Sequence, residues 1–432
     1  MHISILAVLF VWWQSVSASS QDEEPFFSPL PPSFSESSVV LLKDKLAVIP
    51  GEWHSDSLTS SLHNIHASDS SITNAFAKIG AADFVAWDES FLDLIGPKAT
   101  VEVIQTFSPP ESQHVHEAPV YIPETNELLY SDTSVVGWLW AINIDTHEVR
   151  KIETHPPLPN INGATYHAGL IFLATNGGPA RALYSLNITT GEATPVLNNY
   201  RGRHLNSPND LIFDSQHNIY FTDPPYGFVQ QWPGVQEPEL PSAVYHFDTR
   251  TKALTALSNS VVKMPNGLAL SADERTLYIA DSSSSDRKIA SVRNVWAFDV
   301  QAEGVGLANP RLVYQAESGW PDGIRVSRHG YLFVSAAGGV DVVEPRTGLL
   351  LGKINTPDDI IYNLEPASGR AEGVWLLTGG KGVYKVTIAE AGQRGLVGMS
   401  VWTMVWEFGA SAQLYAQGVG SALSDMLWSL RS

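Results

Sequence analysis

Short apolar runs, each bounded by glycine, proline, asparagine or aspartate, recur along this chain from about residue 75 to residue 390. Their length and their flanking turn residues are typical of strands and not of helices. Representative runs lie at 120–121, 137–144, 170–174, 218–222, 276–280, 331–335 and 373–377. This pattern predicts an all-β fold built from many short strands.

A four-residue motif repeats at the start of three of these strands. It reads Pro, then Asn or Asp, then Asp or Gly, then Leu or Ile, and its copies are Pro208-Asn209-Asp210-Leu211, Pro265-Asn266-Gly267-Leu268 and Pro321-Asp322-Gly323-Ile324. The second positions lie 57 and 56 residues apart, the length of a four-stranded propeller blade with loop insertions. With a weaker copy at Glu117 and further blade starts near Gly163 and Asn363, the sequence predicts a six-bladed β-propeller of four-stranded blades.

Equivalent positions on the inner strands of a propeller lie around one central channel. We therefore expect the side chains of one repeated position to converge, namely Glu117, Asn209, Asn266 and Asp322. Carboxylate and amide oxygens suit a hard divalent cation, Ca²⁺ before Mn²⁺, Mg²⁺ or Zn²⁺. Alternatively, these are ordinary turn residues, although three copies in register favour the shared site. The spacing does not distinguish a structural ion from a catalytic one.

Further polar residues are expected near the same ring. His116 precedes Glu117, His167 ends a predicted strand, and Tyr226 follows Asp223-Pro224-Pro225. A histidine beside a metal ion can act as a general base, and it can equally be a structural histidine. His116 is our candidate for the former role, and His167 and Tyr226 are candidates for substrate binding.

Composition and charge narrow the function classes. With 26 basic and 45 acidic residues, the net charge of −19 argues against nucleic acid or an anionic membrane surface as the main partner. The chain has no cysteine, which excludes disulfides, thiolate nucleophiles and Cys-ligated metals. A small molecule is therefore the expected partner, and no stable membrane anchor and no oligomeric state are indicated.

The ends of the chain differ from the repeating part. Residues 1–18 combine an apolar run with a small-residue cleavage site, which predicts a signal peptide and secretion; a buried first strand is the alternative. The sequon at Asn187 is consistent with a secreted glycoprotein. Residues 19–74 are rich in Ser, Pro and acidic residues and predict a partly unordered extension. The propeller is assigned to 75–390, and 391–432 form a tail that matches no repeat, which leaves the closure of the last blade open.

Taken in order, several segments resemble the gluconolactonase, senescence-marker-protein and luciferin-regenerating-enzyme family, most of all its secreted fungal lactonohydrolase branch. They lie at 91–96, 116–121, 206–211, 220–227, 265–269 and 321–324. The resemblance covers roughly 75–386. It implies a six-bladed propeller with one catalytic divalent cation and hydrolysis of sugar-type or related lactones, either aldonolactone or pantoyl-type.

The resemblance also implies roles for single residues. Glu117, Asn266 and Asp322 match the family's metal ligands, and Asn209 matches an asparagine that contacts metal or substrate. Asp322 also matches the proposed general base, with His116 as the other candidate. Ser207 stands where the animal sugar lactonases have an arginine, so it is a substrate-binding candidate whose contacts differ from theirs.

Two other functions remain open at this point. A related propeller esterase or a strictosidine-synthase-like enzyme would use the same fold for different chemistry. A non-catalytic binding propeller would use its ion only for structure. The preferred hypothesis is a secreted, metal-dependent lactone hydrolase.

Overall fold

The computed structural model describes residues 26–55, 65–133, 138–232, 234–257, 261–283, 292–301 and 306–393. Short antiparallel strands dominate these residues and helices are few, so the all-β prediction is confirmed. The predicted signal peptide and all but the first residues of the predicted tail lie outside the described residues. Among the described residues, none of the helices has the length and apolarity that crossing a bilayer requires.

The N-terminal elements pack against one edge of a large sheet. They are β1 (Phe27–Ser28), β2 (Val39–Leu42), β3 (Trp53–Ser55), β4 (Ile65–Ala67), α1 (Ser70–Ala81), β5 (Phe84–Ala86) and α2 (Ser90–Ile95), with a 3₁₀ turn at Lys43–Leu46. Helix α1 begins where the Asp69 side chain accepts a hydrogen bond from the Ser71 amide, at 2.8 Å. It buries Ile72, Phe76 and Ile79, which recur at helical spacing.

The described part of the predicted extension, 26–55 and 65–74, is therefore more structured than the polar composition suggests. Strand β2 is entirely buried and runs parallel to β5. The four apolar residues Val39–Leu42 provide this strand, and neighbouring serines and prolines in the sequence obscured it. The boundary at residue 74 stays a prediction.

Four antiparallel sheets of four strands each follow along the chain, after β6 (Thr100–Thr106) and a 3₁₀ turn at Glu111–Gln113. The first contains β7 (His116–Ile122), β8 (Glu127–Asp132), β9 (Trp138–Asn143) and β10 (Val149–Glu153). The second contains β11 (Ile161–His167), β12 (Leu170–Thr175), β13 (Leu183–Leu186) and β14 (Ala193–Leu197). The small hairpin β15 (Asn199–Tyr200) and β16 (Arg203–His204) comes next.

The third sheet contains β17 (Leu211–Phe213), β18 (Ile219–Asp223), β19 (Ala243–Phe247) and β20 (Leu254–Leu257), with the single-turn helix α3 (Tyr226–Val229) in one connection. The fourth contains β21 (Pro265–Leu270), β22 (Thr276–Asp281), β23 (Asn294–Val300) and β24 (Leu307–Gln315). In each of these sheets the strands are neighbours in chain order, and each strand pairs antiparallel with the next.

The remaining strands form one nine-stranded sheet together with β1, β2, β5 and β6, while β3 and β4 pair only with each other among the described residues. The remaining strands are β25 (Ile324–Val326), β26 (Leu332–Glu344), β27 (Leu349–Pro366), β28 (Val374–Gly379) and β29 (Gly382–Thr387), with a 3₁₀ turn at Gly369–Ala371. Strand β6 pairs with β29 along its whole length. A strand that precedes the first four-stranded sheet thus forms one edge of the nine-stranded sheet.

The first strands of successive sheets pack side by side. Strand β7 contacts β11, and the chain of contacts continues through β17, β21, β25 and β27 back to β7. Apolar clusters fill the spaces between neighbouring sheets, for example Leu376 and Val383 against Leu128 and Tyr130. The first strands thus follow one another in a closed series of contacts.

Candidate metal centre and active site

Four of the six inner strands are irregular where their polar residue lies, whereas β17 and β25 pair without a register shift. The strand pairing shifts register between Glu117 and Val120, and between Ile161 and Gly163. The same irregularity occurs between Pro265 and Leu268 and between Ile361 and Asn363. Such bulges re-aim a side chain out of the alternating pattern, so the polar residue can turn towards the axis.

Glycines beside these residues let the inner strands approach closely. A Cβ atom on Gly267 would lie 2.2 Å from the Asp322 carbonyl oxygen. A Cβ atom on Gly323 would lie 2.1 Å from the Asn363 side-chain oxygen, and one on Gly163 would lie 2.1 Å from the Asn209 carbonyl oxygen. The Gly of the Asn-Gly and Asp-Gly repeats is therefore required by packing of one inner strand on the next.

Hydroxyl groups on the second strands tie neighbouring sheets together at this level. Ser131 donates to the carbonyl of Ile161 at 2.7 Å, and Thr222 donates to that of Asn266 at 2.9 Å. In the same way, Ser282 donates to Pro321 at 2.5 Å and Ser335 donates to Tyr362 at 2.7 Å. These hydrogen bonds fix the backbone of each inner strand to the neighbouring sheet.

The two carboxylates of the ring lie close enough to repel each other. Burial and the charge of Asp210 raise the pKa of Asp322 to about 8, while hydrogen bonds from Trp320 and Asn266 oppose that shift. Burial, and after it the charge of Asp322, raise the pKa of Glu117 well above its ordinary value. Glu117 also accepts a hydrogen bond of 2.9 Å from Asn363. Such a pair is stabilised by a cation between them.

One amide of the ring, that of Asn209, supplies an acceptor that the described residues do not use. The side-chain oxygen of Asn209 is buried and accepts no hydrogen bond from the described residues. The Asn266 side chain contacts both Ser282 and Asp322. The described residues contain no cluster of three or more His, Asp or Glu suited to a metal, since the ring combines two carboxylates with amides. This donor set, all oxygen and with a charge of −2, fits a hard divalent cation.

The two candidate histidines lie away from the axis. His116 is buried, stacks on Phe107 at 3.7 Å between ring centres, and its Nδ1 lies 2.9 Å from the Gly379 carbonyl oxygen. Burial lowers its pKa. His167 lies at the far end of β11, where it stacks on Phe213 and bonds His217 at 2.8 Å. The structure therefore brings neither imidazole into the ring, although His116 adjoins it in sequence.

The other two substrate-binding candidates lie next to the ring. Tyr226 is partly buried, with its hydroxyl buried beside Ser282, and the charge of Asp322 adds to burial in raising the pKa of its phenol. Its hydroxyl makes no well-aligned hydrogen bond to any described residue. Ser207 is fully buried, and its hydroxyl accepts a 2.8 Å hydrogen bond from the Gly227 amide. Ser207 thus supports the Tyr226 loop instead of facing the channel mouth.

Several polar residues of the site are absent from the sequence-based prediction. Asn363 joins Glu117 directly, and Asn162 and Asn176 form an amide pair of 3.1 Å on the neighbouring sheet. The Asn162-Gly163 dipeptide was a usable signal, because it matches Asn266-Gly267. Asn363 lacks both the proline and the glycine of the motif, and Asn176 lies outside the repeat.

A buried ion cluster is a second feature that the sequence did not reveal. Arg325 lies three residues after Asp322, with its Nε 3.0 Å from Glu365 and its Nη1 3.6 Å from Asp210. Burial raises the pKa values of Asp210 and Glu365, and Arg325 opposes both shifts. The positive charge of Arg325 therefore partly offsets the negative charges of Asp210 and Glu365 next to the ring.

These features define a class of protein. It is an all-β, propeller-like fold in which buried carboxylates and amides lie at the inner strands. Residues 115–364 match the SMP-30/Gluconolactonase/LRE-like region. The chain belongs to this family, as its motifs indicate.

Relatives and solved structures agree with this assignment. The chain is 32% identical over 335 residues to lactonohydrolase oryL of Aspergillus oryzae, a match that covers 71% of this chain and 74% of the relative. It is 33% identical over 258 residues to the gluconolactonase of Zymomonas mobilis, covering 55% of this chain and 69% of the relative. The gluconolactonase structure from Xanthomonas campestris superposes with a TM-score of 0.58 at 28% identity, covering 69% of this chain and 93% of that one.

Proposed function

We propose that this chain is a hydrolase that opens lactones to hydroxy acids. The relatives named lactonohydrolase and gluconolactonase support this class of reaction. The observation that carries the proposal is the pair Glu117 and Asp322, buried and mutually repelling beside an unused Asn209 oxygen. Such an arrangement is costly for stability alone, and it is typical of a functional site.

The fold proposed for this function is a six-bladed propeller. Four blades are the separate four-stranded sheets. The other two would share β27, whose first part pairs with β26 and whose second part pairs with β28. The ring of contacts among the first strands supports this count.

We further propose that Glu117, Asn209, Asn266 and Asp322 hold a divalent cation. Ca²⁺ suits these oxygen donors best, and Mn²⁺, Mg²⁺ or Zn²⁺ are the alternatives for the same set. A cation bound there would polarise the carbonyl group of the lactone. The unpaired side-chain oxygen of Asn209 is the structural support for this ligand set.

In the proposed reaction, Asp322 accepts a proton from the water that attacks the lactone carbonyl. The bond between the carbonyl carbon and the ring oxygen then breaks, and the ring oxygen takes up the proton to become the hydroxyl of the product. Asp322 suits this role better than His116, whose ring is buried between Phe107 and the Gly379 carbonyl. Tyr226 would orient the substrate in this proposal, which its proximity to Asp322 supports.

Secretion also remains a proposal of ours. Its sequence support is the apolar run in residues 1–18. A structural support is that Asn187 of the sequon is exposed in the turn between β13 and β14, where a glycan has room.

The decisive experiment is a pH-stat assay on aldonolactones and pantoyl lactone. We expect acid release that stops with EDTA and returns with Ca²⁺. Glu117→Gln and Asp322→Asn should each reduce kcat/KM by at least about 100-fold, since each removes a charge on which the site depends. Asp299→Asn, at an exposed position, is the matched control.

Three outcomes would contradict the proposal. If both ring variants keep full activity, the site is wrongly assigned. If the folded, Ca²⁺-loaded protein releases acid from no lactone but cleaves aryl esters, the propeller esterase is correct. If it hydrolyses nothing and Ca²⁺ only raises the melting temperature, the protein is a binding propeller.

A further inference from the structure

Asn176 lies beside the proposed active site with an unused acceptor. It follows β12, is 2% exposed, and its side-chain oxygen accepts no hydrogen bond from the described residues. A buried carbonyl without a donor is costly, and in native proteins such a group calls for a ligand or another explanation. The oxygen of Asn209 and the hydroxyl of Tyr226 are left without partners in the same way.

The orientation of the Asn176 side chain is determined by its neighbours. Its Nδ2 donates to the side-chain oxygen of Asn162 at 3.1 Å, and its backbone amide donates to the carbonyl of Asn160 at 2.7 Å. Because the NH₂ group is engaged, the carbonyl oxygen points the other way. The side chain therefore presents an acceptor.

Packing places Asn176 against the loops that carry Tyr226 and Asn209. A Cβ atom on Gly227 would lie 3.2 Å from the Asn176 main-chain oxygen and 2.8 Å from the Ser207 hydroxyl oxygen. Gly227 directly follows Tyr226, and Ser207 lies two residues before Asn209. The buried Ser207 hydroxyl joins these loops by accepting the Gly227 amide hydrogen bond.

The ester group of a lactone contains only acceptor oxygens, so it cannot satisfy the Asn176 oxygen. A hydroxyl group on the substrate can. We propose that Asn176 is a specificity-determining residue whose side-chain carbonyl accepts a hydrogen bond from a hydroxyl substituent of the lactone. This inference rests on the proposed lactone hydrolysis. A site that leaves a polar group unpaired discriminates against the analogue lacking the hydroxyl.

The test compares three lactones that differ only in this group: 2-hydroxy-γ-butyrolactone, 3-hydroxy-γ-butyrolactone and γ-butyrolactone. We expect the wild type to prefer at least one hydroxylated lactone in kcat/KM by about 10- to 100-fold. Asn176→Ala should bring this ratio close to one, mainly through the hydroxylated substrate. Asn176→Asp keeps an acceptor oxygen and should retain a preference.

Asn126→Ala is the matched control. Asn126 is as buried as Asn176, but it lies in the turn between β7 and β8 and has partners in Tyr121 and Asp145. The Asn126→Ala variant should be less stable than the wild type but should keep the wild-type ratio of kcat/KM between hydroxylated and unsubstituted lactones.

The failures are distinguishable. A wild type that opens no lactone refutes the proposed function and this inference with it. An active wild type without hydroxyl preference overturns this inference alone, as does an Asn176→Ala variant that loses activity equally on all three substrates. If the Ala variant does not fold, the ratio in Asn176→Asp decides: a ratio near one overturns the inference.

Discussion

His116 and Glu117 are adjacent in the sequence, yet they have opposite surroundings. Glu117 faces Asp322 and Asn363 near the axis, whereas His116 packs between Phe107 and the next sheet. The side chains of a strand alternate between its two sides, and the irregular pairing after Glu117 turns only that residue inwards. Two residues adjacent in the sequence therefore need not share the same surroundings, and a catalytic role for His116 stays a prediction.

His167 also lies away from the proposed ring, and its surroundings lead to a prediction about the stability of the fold. Burial and the neighbouring His217 lower the pKa of His167 to about 4, from 6.5. Between pH 6.5 and pH 4 the unfolded chain binds a proton that the folded chain does not, so stability should fall as the pH falls through this range. The loss is at most about 3 kcal/mol. It is measured by urea unfolding at pH 7, 6, 5 and 4.

His167→Gln should make this pH dependence shallower, because the titrating group is gone. His147→Gln, which changes an exposed histidine, should leave the slope as in the wild type. An equal slope in the wild type and in His167→Gln would show that His167 does not cause the acid instability.

The repeat predicts which residues should converge at the axis, but it does not mark every buried polar residue near them. Glu117, Asn209, Asn266 and Asp322 could be found because each occupies the same position of a repeating motif. Asn176 could not, because loops between strands follow no repeat and their positions depend on packing between distant segments. Its location becomes visible only through the contact between residues 176–177 and Gly227.

At the level of elements, the aspartate that ends the second strand has a structural role. Asp223 accepts hydrogen bonds from the amides of Asn206 and Ser207, at 2.9 and 2.7 Å. Asp281 accepts from those of Lys263 and Met264, at 3.0 Å each. In both sheets the carboxylate fixes the loop that enters the inner strand. The motif of a strand followed by Asp is thus explained without a catalytic function.

The close packing of the inner strands at Gly267 leads to a second prediction about stability. A Cβ atom there would meet the Asp322 carbonyl oxygen at 2.2 Å and the Gly323 Cα at 2.8 Å. Both contacts are with backbone, which cannot rotate away, so Gly267→Ala should cost about 1–3 kcal/mol. Denaturant unfolding measures this loss. Because the displaced strand carries Asp322, lactone hydrolysis should fall as well.

Gly306→Ala is the matched control for this substitution. A Cβ atom on Gly306 would meet only the Gln301 side chain, at 3.4 Å or more. The expected change is within about 0.5 kcal/mol. If Gly267→Ala is equally mild and fully active, the inner strands are not packed as closely as described.

At the scale of the whole molecule, strands from the described residues before 107 pair with the strands formed by residues 349–387. Strand β5 pairs with β27 and β6 pairs with β29. Asn355 of β27 donates to the carbonyls of Ile79 and Ala82 at 3.0 Å each, at the end of α1. The sequence predicted the strands but not these pairings, because partners almost 300 residues apart leave no local pattern.

The inner strands bring several carboxylates together from distant parts of the chain, and Arg325 is the positive charge that lies among them. It is buried with Asp210 and Glu365, and its Coulomb interaction extends to Glu117. Arg325→Met should leave these carboxylates unpaired and cost about 3–5 kcal/mol at neutral pH. Burial raises the pKa of Asp210, so the difference from the wild type should narrow as the pH falls and the carboxyl groups take up protons.

Arg311→Met provides the comparison for this prediction. Arg311 pairs with Asp299 at 2.7 Å, which is shorter than the distance between Arg325 and Asp210. However, the side chains of Arg311 and Asp299 are both about half exposed. An exposed pair contributes less than about 1 kcal/mol, since water screens it. Urea unfolding of both variants at pH 5 and pH 7 shows whether the burial of an ion pair or its short distance contributes more to the free energy of unfolding. If Arg325→Met is no less stable than Arg311→Met, the channel does not rely on its guanidinium, and a cation in the ring would have to balance those carboxylates instead.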